Sequence, residues 1–326
     1  MAEKQSMKAP FFRSGTDVRG MMWAMLACLT LTAAHFSLRY DGAYFPRFLL
    51  VVFSGWALEW VVGLLHDGRS AWPRASTGVT GALLALSVPA HMPLLPLLCG
   101  LLVAVWFGKL MTDRSALRLN PMILGRLFLM MVFAAPMQAW LAPGREISAI
   151  TSATPLGLYK AEGVAFSAHK LLLGAIGGDW EGVYELLPGA PGELMPLLAL
   201  FFGVILYWTG VLDWRPGVAF LSGFAVVCVV LRMPLVFHLL AGSVIFTAVY
   251  VITDPRSTPG SKAGRWMAGA MAGAITAAVR HHGYYPEGVV FGVLAANLLA
   301  PTLDRLAFAL RGITLRLTGR SPSRGE

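Results

Sequence analysis

Apolar residues run almost unbroken through ten stretches of this chain, near residues 20–38, 43–65, 77–89, 93–110, 121–141, 194–212, 216–231, 235–252, 265–280 and 286–303. A helix needs roughly 20 such residues to cross the hydrocarbon core of a bilayer. The two-residue alternation of a barrel strand is absent, so the stretches predict helices, whose backbone polar groups are satisfied internally. The expected fold is an all-α polytopic membrane protein of ten transmembrane helices, arranged as two inverted five-helix repeats. The polar intervals divide it into an N-terminal segment (1–20), a first five-helix set (21–141), a long loop (142–193), a second set (194–303) and a basic tail (304–326).

Local pattern supports the division into halves. Spans 3 and 7 are short, and each is followed by Met-Pro-Leu, at Met92-Pro93-Leu94 and Met233-Pro234-Leu235. The helix after each ends in a polar turn with proline, Asn120-Pro121 and Asp254-Pro255. An odd number of spans per half inserts the halves in opposite senses, and short interrupted spans at matching places point to a site near the midplane. Chance is the competing explanation, because Pro and Gly are common in membrane helices. Gly269 and Gly273, four apart among alanines, are a close-packing signal between helices.

Composition agrees. The chain is 56% hydrophobic and 13% charged, against about 25% charged in soluble domains. A net charge of +9 raises nucleic acid as a partner, but the cations gather at span ends, where they orient a membrane protein. Of the 26 Lys and Arg residues, 18 fall on the side shared by both termini, 7 on the other, and Arg126 lies inside a span. Both termini are therefore expected in the cytoplasm and loop 142–193 on the outer face, with no nucleic-acid partner. The first apolar run reads as a start-transfer helix rather than a cleaved signal. Cys28, Cys99 and Cys228 stand singly in apolar runs and read as small buried hydrophobes.

The candidate chemistry is sparse. Thr154 precedes Pro155 in the long loop, and a residue before proline is held extended. Such a threonine is either a turn element or a modified hydroxyl. Lys160, His169, Lys170 and Arg145 are loop cations available to a phosphate. Glu59, Arg126, His238 and Asn297 are polar residues within spans. Each serves either a binding site or ion route or a structural contact between helices. Asn120, Asp254 and Glu287 read as helix caps and turn formers, and Trp140, Trp208, Trp214, Tyr284 and Tyr285 as interfacial anchors. No catalytic triad or metal-ligand pattern is visible.

Several motifs together carry a family resemblance. The segment Glu146-Ile147-Ser148-Ala149-Ile150-Thr151-Ser152-Ala153-Thr154-Pro155-Leu156 resembles the flavinylation segment of the D subunit of Rnf electron-transport complexes. It is also similar to that of the related B subunit of sodium-pumping NADH:quinone reductase. Gly189-Ala190-Pro191-Gly192-Glu193 is similar to the family's Gly-x-x-Gly-Glu. Phe237 to Gly242, Thr253-Asp254-Pro255, Gly283 to Gly288, Asn297, Pro301 and Asn120-Pro121 follow in family order over nearly the whole chain. The short N-terminus favours the Rnf type. The chain departs from the family at Ser148, where Asp is frequent, and at Leu194 and Met195, where small hydroxyl residues are usual.

The resemblance implies a flavin-carrying membrane subunit of an Rnf-type ferredoxin/NAD oxidoreductase in the bacterial inner membrane, coupled to Na+ or H+ translocation. FMN would be held as a phosphoester on Thr154, with Ser152, Ala153, Pro155, Gly189, Gly192 and Glu193 around it. It further implies a second, non-covalent flavin (riboflavin or FMN), a flavin transferase for maturation, membrane lipid, and partner membrane, flavin-carrying and iron-sulfur subunits. The competing expectations are an inverted-repeat transporter or channel with no redox role, and a scaffold subunit whose flavin site has decayed.

Overall fold

The computed structural model describes residues 18–67, 74–111, 119–140, 153–176, 185–283 and 285–318. In chain order it runs α1 (Val18–Arg39), α2 (Tyr44–Asp67), α3 (Ala75–Leu86), α4 (Leu94–Val105, continued as a π-helical segment Trp106–Met111), α5 (Pro121–Val132) and α6 (Ala134–Gln138). The long loop contributes α7 (Pro155–Glu162), α8 (Ala168–Leu173) and a two-residue antiparallel pairing of β1 (Ala175–Ile176) with β2 (Glu185–Leu186). The second half comprises α9 (Pro196–Trp208), α10 (Trp214–Val230), α11 (Leu235–Leu240), α12 (Val244–Phe246, continued as a π-helical segment Thr247–Val251), α13 (Lys262–His282) and α14 (Val289–Thr318).

The molecule is a helical integral membrane protein. Helices α1, α2 and α14 are long and apolar enough to cross a bilayer, and α3, α4, α5, α9 and α10 are shorter apolar helices. Large apolar side chains such as Phe53, Leu95, Met131, Phe201 and Val230 face outward, as a lipid-facing surface requires.

Each expected span has a helical counterpart, and three differ in form. The fifth is broken at Phe133 into α5 and α6. The eighth is broken at Ala241-Gly242-Ser243, with Gly242 at φ 71°. The seventh, expected to be the short partner of the third, is a continuous 17-residue helix. The interrupted span of the second half is thus the eighth, because the proline and glycine punctuation lies beyond α10. The last helix also runs past residue 303 to Thr318, through Pro301. There Asp304 accepts from the amides of Gly260 and Ser261 at 2.8 and 2.9 Å and ties the extension to the turn before α13.

The halves pack alike. In the first, α3 lies against α1 and α2, α2 against α4, and α4 against α5. In the second, the interrupted eighth span lies against α9 and α10, α10 against α13, and α13 against α14. The halves meet where α1 touches α9 and α5 touches α14. The Gly269 and Gly273 signal lies in the α10–α13 contact, where the two glycines face the backbone of Pro216 and Phe220. Close approach of this kind replaces the hydrophobic driving force that lipid cannot supply.

Candidate functional site

Thr154 is the N-cap of α7. Its Oγ1 accepts from the Gly157 amide at 3.1 Å, Pro155 occupies the first helical position, and Gly163 closes the helix in the left-handed region. Proline there loses no helical hydrogen bond, so the same Thr-Pro pair that reads as a turn in sequence starts this helix. Thr154 is half-buried, Ala153 exposed and Pro155 buried. Ser152, Ser148 and Arg145 lie outside the described residues.

Helix α7 docks on the second half. Tyr159 packs edge-on to the His238 ring with centroids 4.8 Å apart and against Phe237 at 5.0 Å. Lys160 donates to the Gly283 carbonyl. Leu156 is buried at the eighth-span break: a side chain added at Gly242 would meet Leu156 at 2.6 Å, Arg280 Nη2 at 2.8 Å and Glu287 Oε1 at 3.2 Å. Gly242 is where the Thr154 segment meets a buried charged cluster.

That cluster draws on five segments of the chain. Arg126 of α5 donates through Nη2 to Glu193 at 3.3 Å and also to Glu287. Glu287 further accepts from the Ser243 amide at 3.0 Å and the Ser243 hydroxyl at 2.6 Å. Arg280, near the end of α13, donates through Nη1 to the His238 carbonyl at 2.7 Å. Burial and the neighbouring Glu287 carboxylate push Glu193 above the usual carboxylate range, against the pull of Arg126.

The Gly189-x-x-Gly192-Glu193 segment delivers Glu193 to this place. The Gly192 amide bonds the Leu86 carbonyl at the end of α3 at 2.8 Å. A Cβ at Gly192 would lie 2.8 Å from Phe246 and 3.0 Å from that carbonyl, so only glycine fits without displacement. Gly189 packs on Leu194, one residue beyond Glu193. Sequence singled out Arg126 and Glu193 separately but missed their pairing, and it read Glu287 as a cap. The signal available was a lone intramembrane arginine, which must find carboxylates somewhere.

Glu59 and Asn297 make structural contacts. Glu59 accepts from the Arg74 amide and the Thr77 hydroxyl at 2.8 and 2.6 Å. Asn297 accepts from the Asn120 amide at 2.9 Å and donates to the Ser257 carbonyl at 3.1 Å. Cys28 and Cys228 are buried free thiols. No cluster of metal-ligating side chains occurs among the described residues.

Residues 5–309 match the sequence pattern of the NQR2, RnfD, RnfE family. The chain belongs to that family. Among its relatives is the D component of a proton-translocating ferredoxin:NAD(+) oxidoreductase complex from Clostridium ljungdahlii, 26% identical and covering 94% of this chain and 97% of its own. The D component of an ion-translocating oxidoreductase complex from Pseudomonas paraeruginosa is 30% identical over 69% of this chain and 71% of its own. The B component of a Na(+)-translocating NADH-quinone reductase from Pseudomonas aeruginosa is 29% identical over 69% of this chain and 58% of its own. The match to the NQR2, RnfD, RnfE family spans both halves and the loop that carries Thr154, so the charged cluster and the Thr154 segment lie within it.

Proposed function

We propose that this chain is the D-type membrane component of an ion-translocating oxidoreductase of the Rnf kind, carrying FMN as a phosphoester on Thr154. The observation that carries the reading is the cap geometry of Thr154 within the family-matched loop. The cap uses the Oγ1 oxygen only as an acceptor. Esterification replaces the hydroxyl hydrogen, which the cap does not need, and leaves a lone pair for the Gly157 amide. The phosphate would then lie at the N-terminus of α7, where the helix dipole favours negative charge. Flavin, when bound, supplies reversible electron transfer. The protein's residues hold and orient it: Thr154 tethers, α7 docks the tether on the second half, and Gly192 and Glu193 fix the loop beneath.

The matched packing of the two halves supports a five-plus-five inverted repeat whose cross-contacts, α1 with α9 and α5 with α14, lie on a pseudo-two-fold axis. The cation distribution supports cytoplasmic termini and an outer-face loop. Partner membrane, flavin-carrying and iron-sulfur subunits would deliver and remove electrons, a second, non-covalent flavin would sit in the helical part, and Na+ or H+ would be moved across the inner membrane.

The test is in-gel fluorescence of the denatured protein made with a flavin transferase, followed by peptide mass mapping. Thr154→Asn is the control of choice, because asparagine keeps the cap but has no hydroxyl. The expected result is a fluorescent band with one FMN-phosphoester on the Thr154 peptide, lost in Thr154→Asn with the fold retained. A dark wild-type band beside an active transferase would sink the reading and favour a transporter built on the interrupted eighth span, or a scaffold subunit.

A further inference from the structure

A second polar cleft opens where α1 and α3 start and the chain turns after the eighth span, with a volume of about 350 Å3. Ligand pockets hold about 300–1,000 Å3. Its charged lining is three arginines from three segments: Arg19 in the first turn of α1, Arg74 at the N-cap of α3, and Arg256 in the turn before α13. No carboxylate lines it among the described residues. Glu59 and Asp254, the acids hydrogen-bonded to these segments, accept from the Arg74 amide at 2.8 Å and the Arg256 amide at 3.2 Å, and neither lines the cleft. Three guanidinium groups brought to one concavity repel one another, and an oxyanion between them offsets that cost through charge-assisted hydrogen bonds. Ala75 and Ser76 bring the start of α3 to the same place. Arg74 makes no side-chain cap bond there, and the helix dipole adds positive potential.

The depth of the cleft in the bilayer selects the kind of anion. Helix α1 begins at Val18 and is long and apolar enough to span, so Arg19 stands where the hydrocarbon ends. Trp23, one turn further along α1 and 48% exposed, packs against Trp56 with ring centroids 6.0 Å apart. Trp56 in turn donates through Nε1 to the Arg74 carbonyl at 3.2 Å. Exposed tryptophans near span ends lie at the level of lipid headgroups. The rest of the wall, Val18 and Met22, is apolar, and Val18 is 63% exposed. Basic pockets between membrane-spanning helices suit phosphate-bearing headgroups.

We propose that this cleft binds the phosphate of an anionic phospholipid, clamped by Arg19, Arg74 and Arg256, with its acyl chains leaving past Val18 and Met22. Arg19 and Arg74 belong to the first half and Arg256 to the second, so the headgroup bridges the halves next to the Asp254 turn that Asn120 reaches. The inference needs a bilayer and no flavin, so it stands apart from the reading of Thr154.

The test uses the full-length chain, purified in nonionic detergent and depleted of lipid. Its thermal midpoint is followed as phosphatidylglycerol or phosphatidylcholine is added in mixed micelles. Phosphatidylglycerol is expected to raise the midpoint at concentrations where phosphatidylcholine does not, and to do so less at high salt. Arg19→Gln, Arg74→Gln and Arg256→Gln are each expected to weaken that response about fivefold, and Arg19→Gln with Arg256→Gln about twentyfold. Arg311→Gln, at an exposed site on α14 outside the cleft, removes an equal charge and should leave the response at the parent level. The midpoint in phosphatidylcholine alone reports whether each variant is folded. If Arg256→Gln fails that check, Arg19→Gln, at an exposed position, decides the matter. Equal midpoints in the two lipids overturn the proposal. So does an equal loss in Arg311→Gln, which would make the response one of overall charge. Glycerol 1-phosphate at matched ionic strength separates the sources of phosphate: no effect supports a lipid, and the whole effect without lipid overturns it in favour of a soluble anion.

Discussion

Two polar clusters tie the halves of this membrane protein together, and they are built on different principles. Near the α7 side, Arg126, Glu193, Glu287 and Ser243 join α5, the loop before α9, the approach to α14 and the eighth-span break through charge. At the start of α5, Asn120 caps the helix, donates its amide to the Asn297 side chain and reaches the Val251 carbonyl, with Asn297 bonded on to Ser257. The second cluster is built mainly on side-chain amides, with the Asp254 carboxylate at its edge 3.5 Å from Asn120 Nδ2, and none of its buried side-chain nitrogens or oxygens lacks a partner among the described residues. The first leaves Arg126 Nε, Arg280 and His238 atoms unmatched among those residues. A fold needs only the amide kind of latch. Charge retained with unmatched donors sets the α7 side apart from the amide latch.

The largest break of this comparison is Arg126→Leu. Removing one member of a buried ion pair strands its partners and costs about 3–5 kcal/mol. The protein is expected to show a sharply lower thermal midpoint in detergent, recovered in part when Glu193→Gln and Glu287→Gln are added. Next comes Asn120→Ala, which loses a cap and a buried bond to Val251, about 2 kcal/mol together. Its unfolding midpoint should fall while covalent flavin stays at the wild-type level; flavin loss would erase the distinction between the clusters. The charged cluster itself is sharpened by contrasting its two acids. Glu287→Gln removes a carboxyl group that accepts from both Arg126 and Ser243 and should cost about 2 kcal/mol. Burial and the Glu287 carboxylate already push Glu193 toward its neutral form, so Glu193→Gln should cost less than about 1 kcal/mol, read by the same melting curves.

The smallest effect belongs to an ion pair outside both clusters. Asp213 caps α10 through the Arg215 amide and contacts Arg265. Burial works against its charge, but the Arg215 amide and the Arg265 guanidinium hold its carboxyl below the usual range. Its contribution is full above the unfolded-state value of about 3.9 and is lost as pH falls through the lower folded value. Asp213→Asn should therefore flatten the acid limb of a stability–pH curve by about 1 kcal/mol or less, with the slope at neutral pH unchanged.

Most of the span positions were legible because apolar length and proline punctuation are local properties. The form of the eighth span was not, because its break depends on Gly242 meeting Leu156 and Arg280, residues far away in sequence. The Gly189-x-x-Gly192-Glu193 motif was visible as a resemblance, but its reason lies in Phe246 and Leu86. Glu287 was misread for the same cause: beside proline and glycine it resembles a turn former, and only the fold brings Arg126 to it. Asn120, by contrast, caps the helix its own sequence starts, and local reasoning sufficed.

The acceptor-only use of the Thr154 oxygen has a consequence for the life history of the molecule. A helix start that is indifferent to what hangs from its oxygen is complete before any group is attached. Folded, inserted and unloaded chains can then wait in the membrane as a reserve. If Thr154 is the flavin anchor proposed above, the supply of flavin and the activity of its transferase would set the working fraction of the complex, without new synthesis and without dismantling what is already assembled.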